Sequence, residues 1–327
     1  MRGRKTMIRH ILVPLDGSSL AECVLPHAMA IALANNARIT LLHVLERPSK
    51  STGSLTIDPL EWQIKKREGA AYLEKVSALL TGSGVLIESV IGEGQSAEYI
   101  IDYAINNAID LIALSSHGRS GLSGWNVSGV VQKIILRSYK SILLVRAYKI
   151  SRIELRDLRY RHLFVGIDCS PRSEYILPLA TAMAQFFNAH FTIGTVVRKP
   201  EFINRFPLSE EELETIARIS DRNVQIVRHY FEQLTAQFAP QGIDLQTRLS
   251  VGDNVISALH DMVTESGADL VMLVAHGRSG DPRFAFGSVA TSFIAYGTTS
   301  LLIMQDLTGD EVKQTEAELA ARETWGH

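Results

Sequence analysis

The chain has 327 residues, enough for two domains that each bury a core, and its 46% apolar and 21% charged content is that of an ordinary soluble globular protein. Lys and Arg number 33 against 35 Asp and Glu, a net charge of -2, and the lack of any long basic tract argues against nucleic-acid binding. Two cysteines, Cys23 and Cys169, exclude a disulfide framework, and no apolar run approaches the roughly 18 residues of a membrane span. The apolar run at 8–15 is broken by Arg9, His10 and Pro14, unlike a signal peptide, so the chain reads as cytoplasmic.

In chain order, short apolar runs alternate with helical stretches. The runs at 9–15, 38–45, 86–90, 111–115 and 141–145 are rich in Ile, Leu and Val, as parallel strands covered on both faces are. Helical patterns fill 20–35, 60–80, 96–108 and 129–138 between them. A charged segment, 149–160, then leads to a second half with the same order of elements. There Ser209 and Glu212 form a capping box that opens a long helix to about Phe238, stopped before Pro240-Gln-Gly242. Residues 307–327, rich in Glu, Ala and Arg, read equally well as a solvated tail or a docking helix. The predicted class is α/β: two tandem doubly wound five-stranded parallel sheet domains, 1–148 and 161–306.

The halves are copies of one unit. His10-Ile-Leu-Val-Pro-Leu-Asp-Gly-Ser18 lies over His162-Leu-Phe-Val-Gly-Ile-Asp-Cys-Ser170 at an offset of 152, and Leu25-Pro26 over Leu177-Pro178. From Asp110 and Asp269 onward the offset is 159, so the second copy carries seven more residues, nearly all after its second strand. In both copies the pentapeptide His-Gly-Arg-Ser-Gly comes after the fourth apolar run, at 117–121 and 276–280. A glycine-rich loop directly after a buried strand is a usual phosphate-holding element of α/β proteins.

Each first strand ends in an acid, Asp16 or Asp168, followed by a turn. Such a carboxylate can accept hydrogen bonds from a ribose or a base, or can cap the next helix, and position leaves both readings open. Beyond Gly277 come Arg278 and then Gly287-Ser288-Val289, which opens the last helix. These supply close backbone approach, a hydroxyl and free helix amides, the parts of an anion cradle. Arg119 and Arg278 are candidates for a phosphate contact, with solvent exposure as the alternative. His117 and His276 are read as orienting the loop through a backbone hydrogen bond.

With these residues in place, the chain resembles the tandem universal stress proteins over nearly its whole length, roughly 8–146 and 162–305. The resemblance implies flavodoxin-like (Rossmann-like) domains. In ATP-binding members it also implies Gly-x2-Gly-x9-Gly-Ser/Thr after the fourth strand, an Asp ending the first strand, and a Val backbone at the end of the second. On the second copy this places nucleotide contacts at Asp168, Val196, Gly277, Gly287, Ser288 and Val289. On the first it places them at Asp16, Val44 and Gly118, with Ser128, Gly129 and Val130 where Gly-Ser-Val should stand. The motif's first glycine is Ser115 in one copy and Val274 in the other. Because Ser128 puts a side chain where backbone should approach phosphate, the second copy ranks ahead.

The implied function is a stress-response or signalling protein that binds ATP or AMP, with or without Mg, and lacks efficient catalysis. The alternatives are a degenerate interaction scaffold or a slow ATPase. The resemblance further implies that the two last strands, 141–145 and 300–303, join the halves as an internal pseudo-dimer, with a homodimer of the whole chain on top. A Gly-x-Gly-x-x-Ala pattern at 92–97 sits after the third strand instead of the first and is taken as accidental. The ten histidines show no metal-binding spacing, and neither a Gly-x-Ser-x-Gly elbow nor a Walker lysine is present. For Cys169, beside Asp168, and for Cys23, a buried small residue is the default over a redox role.

Overall fold

The structure is a computed structural model that describes residues 8–46, 58–118, 127–147, 157–200, 209–308 and 311–312. In the first half β1 (His10–Pro14), β2 (Arg38–Leu45), β3 (Ile87–Glu93), β4 (Leu111–Ser115) and β5 (Ser141–Val145) alternate with helices. These are α1 (Ser19–Glu22), α2 (Leu25–Asn35), α3 (Pro59–Leu80), α4 (Ser96–Asn106) and α5 (Gly129–Ser138). The second half repeats the plan with β6 (His162–Gly166), β7 (His190–Arg198), β8 (Leu245–Gly252), β9 (Leu270–Val274) and β10 (Ser300–Met304). Its helices are α6 (Leu177–Phe187), α7 (Glu210–Phe238), α8 (Val255–Ser266) and α9 (Ser288–Tyr296). No helix among the described residues is long and apolar enough to cross a membrane.

Where the sequence suggests one helix over 20–35, the chain makes two, with a turn at Cys23-Val24. Pro26 lies in the first turn of α2, and a proline there has no amide to continue a helix begun earlier. Pro178 marks the same break in the second half, where a 3-10 turn, Ser173–Ile176, precedes α6. The long second-half helix starts at the expected capping box on Ser209 and Glu212.

The strands form one ten-stranded sheet in the order β3-β2-β1-β4-β5-β10-β9-β6-β7-β8. Within each half all pairings are parallel and the order is 3-2-1-4-5, which selects the Rossmann-like arrangement over the flavodoxin order. The halves meet where β5 and β10 pair antiparallel, with Leu144 opposite Leu301, Leu143 opposite Leu302 and Ile142 opposite Ile303. One consequence is geometric. Because β5 and β10 run in opposite directions, the carboxyl ends of the first half's strands lie at one edge of the sheet and those of the second half at the other.

Alternate strand residues face opposite layers, as the pleat requires. Val13, Leu41, Leu143, Val165 and Ile193 point into a core with α2, α3, α6 and α7, including Ala28, Met29, Leu73, Met183 and Phe231. Leu12, Ile112, Leu144, Val271 and Leu301 point the other way, toward Ile100, Ile134, Leu259 and Phe293 of α4, α5, α8 and α9. An acid at the start of each fourth strand fixes the beginning of the first. Asp110 accepts the amides of Arg9 (2.9 Å) and His10 (3.0 Å), and Asp269 those of Arg161 (2.7 Å) and His162 (3.2 Å).

Two contacts close the seam beside the central strands. Arg146, buried just past β5, donates Nη2 to the carbonyls of Phe293 (2.6 Å) and Ile294 (3.1 Å) at the end of α9. A cation there opposes the negative end of the helix dipole and shares the Phe293 carbonyl with the Gly297 amide, which donates to it at 3.0 Å. On the other layer α2 packs on α6, and His27 of α2 holds the Tyr160 hydroxyl through Nδ1 at 2.8 Å. Tyr160 meets Phe187 edge-on with ring centroids 5.4 Å apart.

Burial lowers the His27 pKa to about 4. A histidine whose folded pKa is depressed binds fewer protons than in the unfolded chain, so its contribution is complete above the ordinary value and is lost as pH falls toward about 4. We expect acidification from neutral pH across that window to cost about 2–3 kcal/mol at this site. Melting curves of wild type and His27→Gln should therefore converge as pH falls, and parallel curves would refute the assignment.

Candidate functional site

In each half the strand order reverses between the first and fourth strands, and ligands of doubly wound sheets bind in the crevice outside the carboxyl ends at such a point. The structure brings Asp16 and Gly118 together there in the first half, and Asp168 and Gly277 in the second. A Cβ on Gly277 would stand 2.5 Å from Asp168 Oδ2, and one on Gly118 would fall on Asp16 Oδ2. Only glycine lets each loop pass this close to its acid.

Neither acid caps a helix directly. Asp16 Oδ1 accepts the Ser18 amide (2.9 Å) and hydroxyl (2.6 Å), and Ser18 in turn caps α1 by accepting the Ala21 amide (3.1 Å). Asp168 Oδ1 likewise holds Ser170, through its amide at 3.0 Å and its hydroxyl at 2.5 Å. Its other oxygen accepts the Arg278 amide at 2.5 Å, so this carboxylate ties the end of β6 to the loop after β9. Burial pushes the Asp168 pKa up, but the hydrogen bonds from Ser170, Arg278 and Ser173 outweigh it and hold the carboxyl below its ordinary value.

The helix starts beyond the loops differ between the copies. In the first, Ser128 is the N-cap of α5, and its hydroxyl takes the Val131 amide at 3.4 Å. The serine that the sequence suggests would intrude on a phosphate is thus folded back onto the helix, using one of the amides an anion would need. In the second copy Gly287 is the N-cap of α9, and no side chain caps that helix. A Cβ on Gly287 would lie 3.3 Å from the Ala275 carbonyl, whereas one on Gly129 meets open space. The Gly287 amide closes the loop on the same carbonyl at 2.8 Å, as Ser128 N does on Ser116 O at 2.9 Å. Ser288 and Val289 form the first turn of α9, and Gly129 and Val130 that of α5.

His276 orients its loop as the sequence suggests, with Nε2 on the Phe284 carbonyl at 2.7 Å. His117 is buried with Nδ1 3.0 Å from the Ser116 hydroxyl. The Arg278 guanidinium turns toward the Asp168 carbonyl at 3.5 Å; Arg119 lies outside the described residues. Val44 and Val196 sit near the ends of β2 and β7, one strand from the acids. The replaced first glycines are absorbed locally: Val274 is buried in the core, and Ser115 donates to the His117 carbonyl at 2.8 Å. Burial raises both thiols, Cys23 and Cys169, away from the reactive thiolate state. Gly92 lies inside β3 and not in a loop, which removes the 92–97 pattern as a phosphate turn.

One duplicated element has no sequence signal of its own. Tyr230 of α7 donates to Glu174 Oε1 at 2.8 Å beside Asp168, and burial followed by that acid raises the tyrosine pKa. Tyr72 of α3 lies at the aligned position near Glu22 and Asp16, but its buried hydroxyl makes no hydrogen bond among the described residues. An aligned Tyr and Glu separated by a whole helix and strand look like ordinary surface residues until the fold is known.

The pattern of the universal stress protein family matches residues 7–146 and again residues 159–305. The chain belongs to that family. Universal stress protein YxiE of Bacillus subtilis is 30% identical over 149 residues, covering 43% of this chain and all of that protein. Universal stress protein MJ0577 of Methanocaldococcus jannaschii is 26% identical over 155 residues, 43% of this chain and 96% of its own length. Both correspond to a single copy of the repeat. The double unit is matched in fold by a putative universal stress protein of Pseudomonas aeruginosa, with a TM-score of 0.65, 16% identity, and coverage of 96% of this chain and 98% of that one. One from Archaeoglobus fulgidus matches with a TM-score of 0.63 and 15% identity, over 91% and 98%.

The loop geometry gives a paired prediction. Gly277→Ala should drive Asp168 off the exposed Arg278 amide and cost about 1 kcal/mol, the usual net worth of one hydrogen bond. Gly129→Ala, at an open helical position, should be neutral or stabilise by up to about 1 kcal/mol. Urea denaturation of the two variants checks both signs.

Proposed function

We propose that this universal stress protein binds an adenine nucleotide, ATP or AMP, in its second half, and acts as a stress-response or signalling component without efficient turnover. The observation that carries the reading is the start of α9: a helix N-terminus without a side-chain cap, opened by Gly287 and Ser288. It lies at the end of a loop that begins beside Asp168 at the switch point of the sheet. Helix amides and the positive end of the dipole favour a phosphate there. The family resemblance supplies the adenine and ribose. In this reading the amides of Ser288 and Val289 and the Ser288 hydroxyl hold phosphate, Gly277 lets the backbone approach, Asp168 faces the sugar, and the Val196 backbone faces the base. A magnesium ion would accompany the phosphates as part of the ligand.

The first half supports a different role. Ser128 already occupies the Val131 amide at the matching helix, which favours a copy kept for structure over one kept for nucleotide. Asp16, Val44, Gly118, Gly129 and Val130 are then scaffold residues.

The test is calorimetry and ligand-shift melting of the full chain with ATP, ADP and AMP. One site of modest affinity is expected, abolished by Gly287→Asp. Aspartate is a good N-cap, so that variant should stay folded while its charge repels phosphate. No response to any of the three nucleotides would overturn the reading. Loss of binding in Ser128→Asp, with Gly287→Asp unaffected, would move the site to the first half.

A further inference from the structure

The loops after β4 and β9 open with the same five residues, yet the second is anchored by groups that the repeat does not duplicate. His276 is wholly enclosed, and both ring nitrogens face oxygen: Nε2 the Phe284 carbonyl at 2.7 Å, Nδ1 the Asp306 carboxylate at 2.8 Å. Asp306, with its side chain only 4% exposed, also accepts the His276 amide at 3.1 Å and forms an ion pair with Arg172 Nε. Arg172 stands in the turn after Asp168, and Phe284 three residues before the N-cap of α9.

One carboxylate therefore joins the turn after β6, the loop after β9 and the chain leaving β10. Through the imidazole it also reaches the approach to α9. The repeat shows what the first copy has instead: Leu20 aligns with Arg172 at the offset of 152, and Ala147 with Asp306 at 159. The histidine is duplicated; the acid and the cation that go with it are not.

We propose that Asp306 is the positioning residue of the second pocket, holding loop 276–287 in the shape that presents the α9 N-terminus to ligand, and that this anchor, beside the different helix starts at Ser128 and Gly287, separates the two copies. The inference rests on the nucleotide reading for its ligand, but the anchor itself is a property of the loop. The packing of the loop's outer side agrees with a fixed shape: Gln305 Nε2 donates to the Ala285 carbonyl at 3.0 Å, and Tyr139 of the first half donates to the Arg283 carbonyl at 3.3 Å.

Hydrogen exchange of peptides covering 277–287, together with ATP calorimetry, tests this on the full chain. Asp306→Ala should speed exchange in that loop and weaken ATP binding, each by about tenfold, as expected when a buried charge-assisted network loses its acceptor. Asp306→Asn keeps an acceptor for His276 but drops the charge facing Arg172, and should fall between. Phe238→Leu, which loosens the core around α7 instead, serves as the control for lost stability and should leave both readings near wild type. Unchanged loop exchange in Asp306→Ala, or equal changes in Phe238→Leu at a matched fall in melting temperature, would overturn the proposal. If wild type binds no ATP, the calorimetry rejects the nucleotide reading, and the exchange comparison still decides the anchor.

Discussion

The pairing of β5 with β10 is the constraint on which the rest of this molecule depends. Each five-stranded sheet alone would present its last strand, apolar and almost wholly buried here, as an open edge. Exposed apolar edges invite uncontrolled pairing, and covering one with the other removes both at once. The strands left at the outside, β3 and β8, are more polar and only partly buried. The same pairing brings Arg146 under the end of α9 and Tyr139 against the loop that leads to it. The second half's loop 276–287 and the helix after it are thus built partly on the first half.

Much of this architecture is legible in the sequence. Continuous Ile, Leu and Val runs give the strands, Ser209 and Glu212 give the start of α7, and the repeat gives the symmetry, because each of these signals is local or periodic. The break between α1 and α2 is written in Pro26, yet an apolar stretch on either side reads as one helix. What the sequence hides is long-range pairing. Asp306 meets Arg172 across 134 residues and Arg146 meets Phe293 across 147, and no spacing rule links such positions. Tyr230 and Glu174 stay hidden for the same reason.

The motif itself is informative in an unexpected way. Reading Ser128 as an obstruction assumes that its side chain stands in the crevice, whereas it turns onto its own helix. The difference between the copies is therefore chemical more than steric: in one copy a side chain of the protein takes up part of the helix terminus, and in the other glycine leaves it uncapped. Asp168 shows the converse. Its carboxylate is occupied by Ser170 and by the Arg278 amide, so a ligand that used it would replace hydrogen bonds the protein already makes. Such exchange keeps net affinity modest even where individual contacts are good.

Placing the two-fold relation inside one chain has a consequence for how the protein can change. In a symmetric pair of identical chains every substitution is felt twice, so neither pocket can alter without the other. Here the paired strands belong to one polypeptide, and Leu20 and Arg172, or Ala147 and Asp306, are inherited as separate letters. Mutation can silence one crevice while selection keeps its twin. A half relieved of a ligand would be free to specialise as the platform on which the other is built.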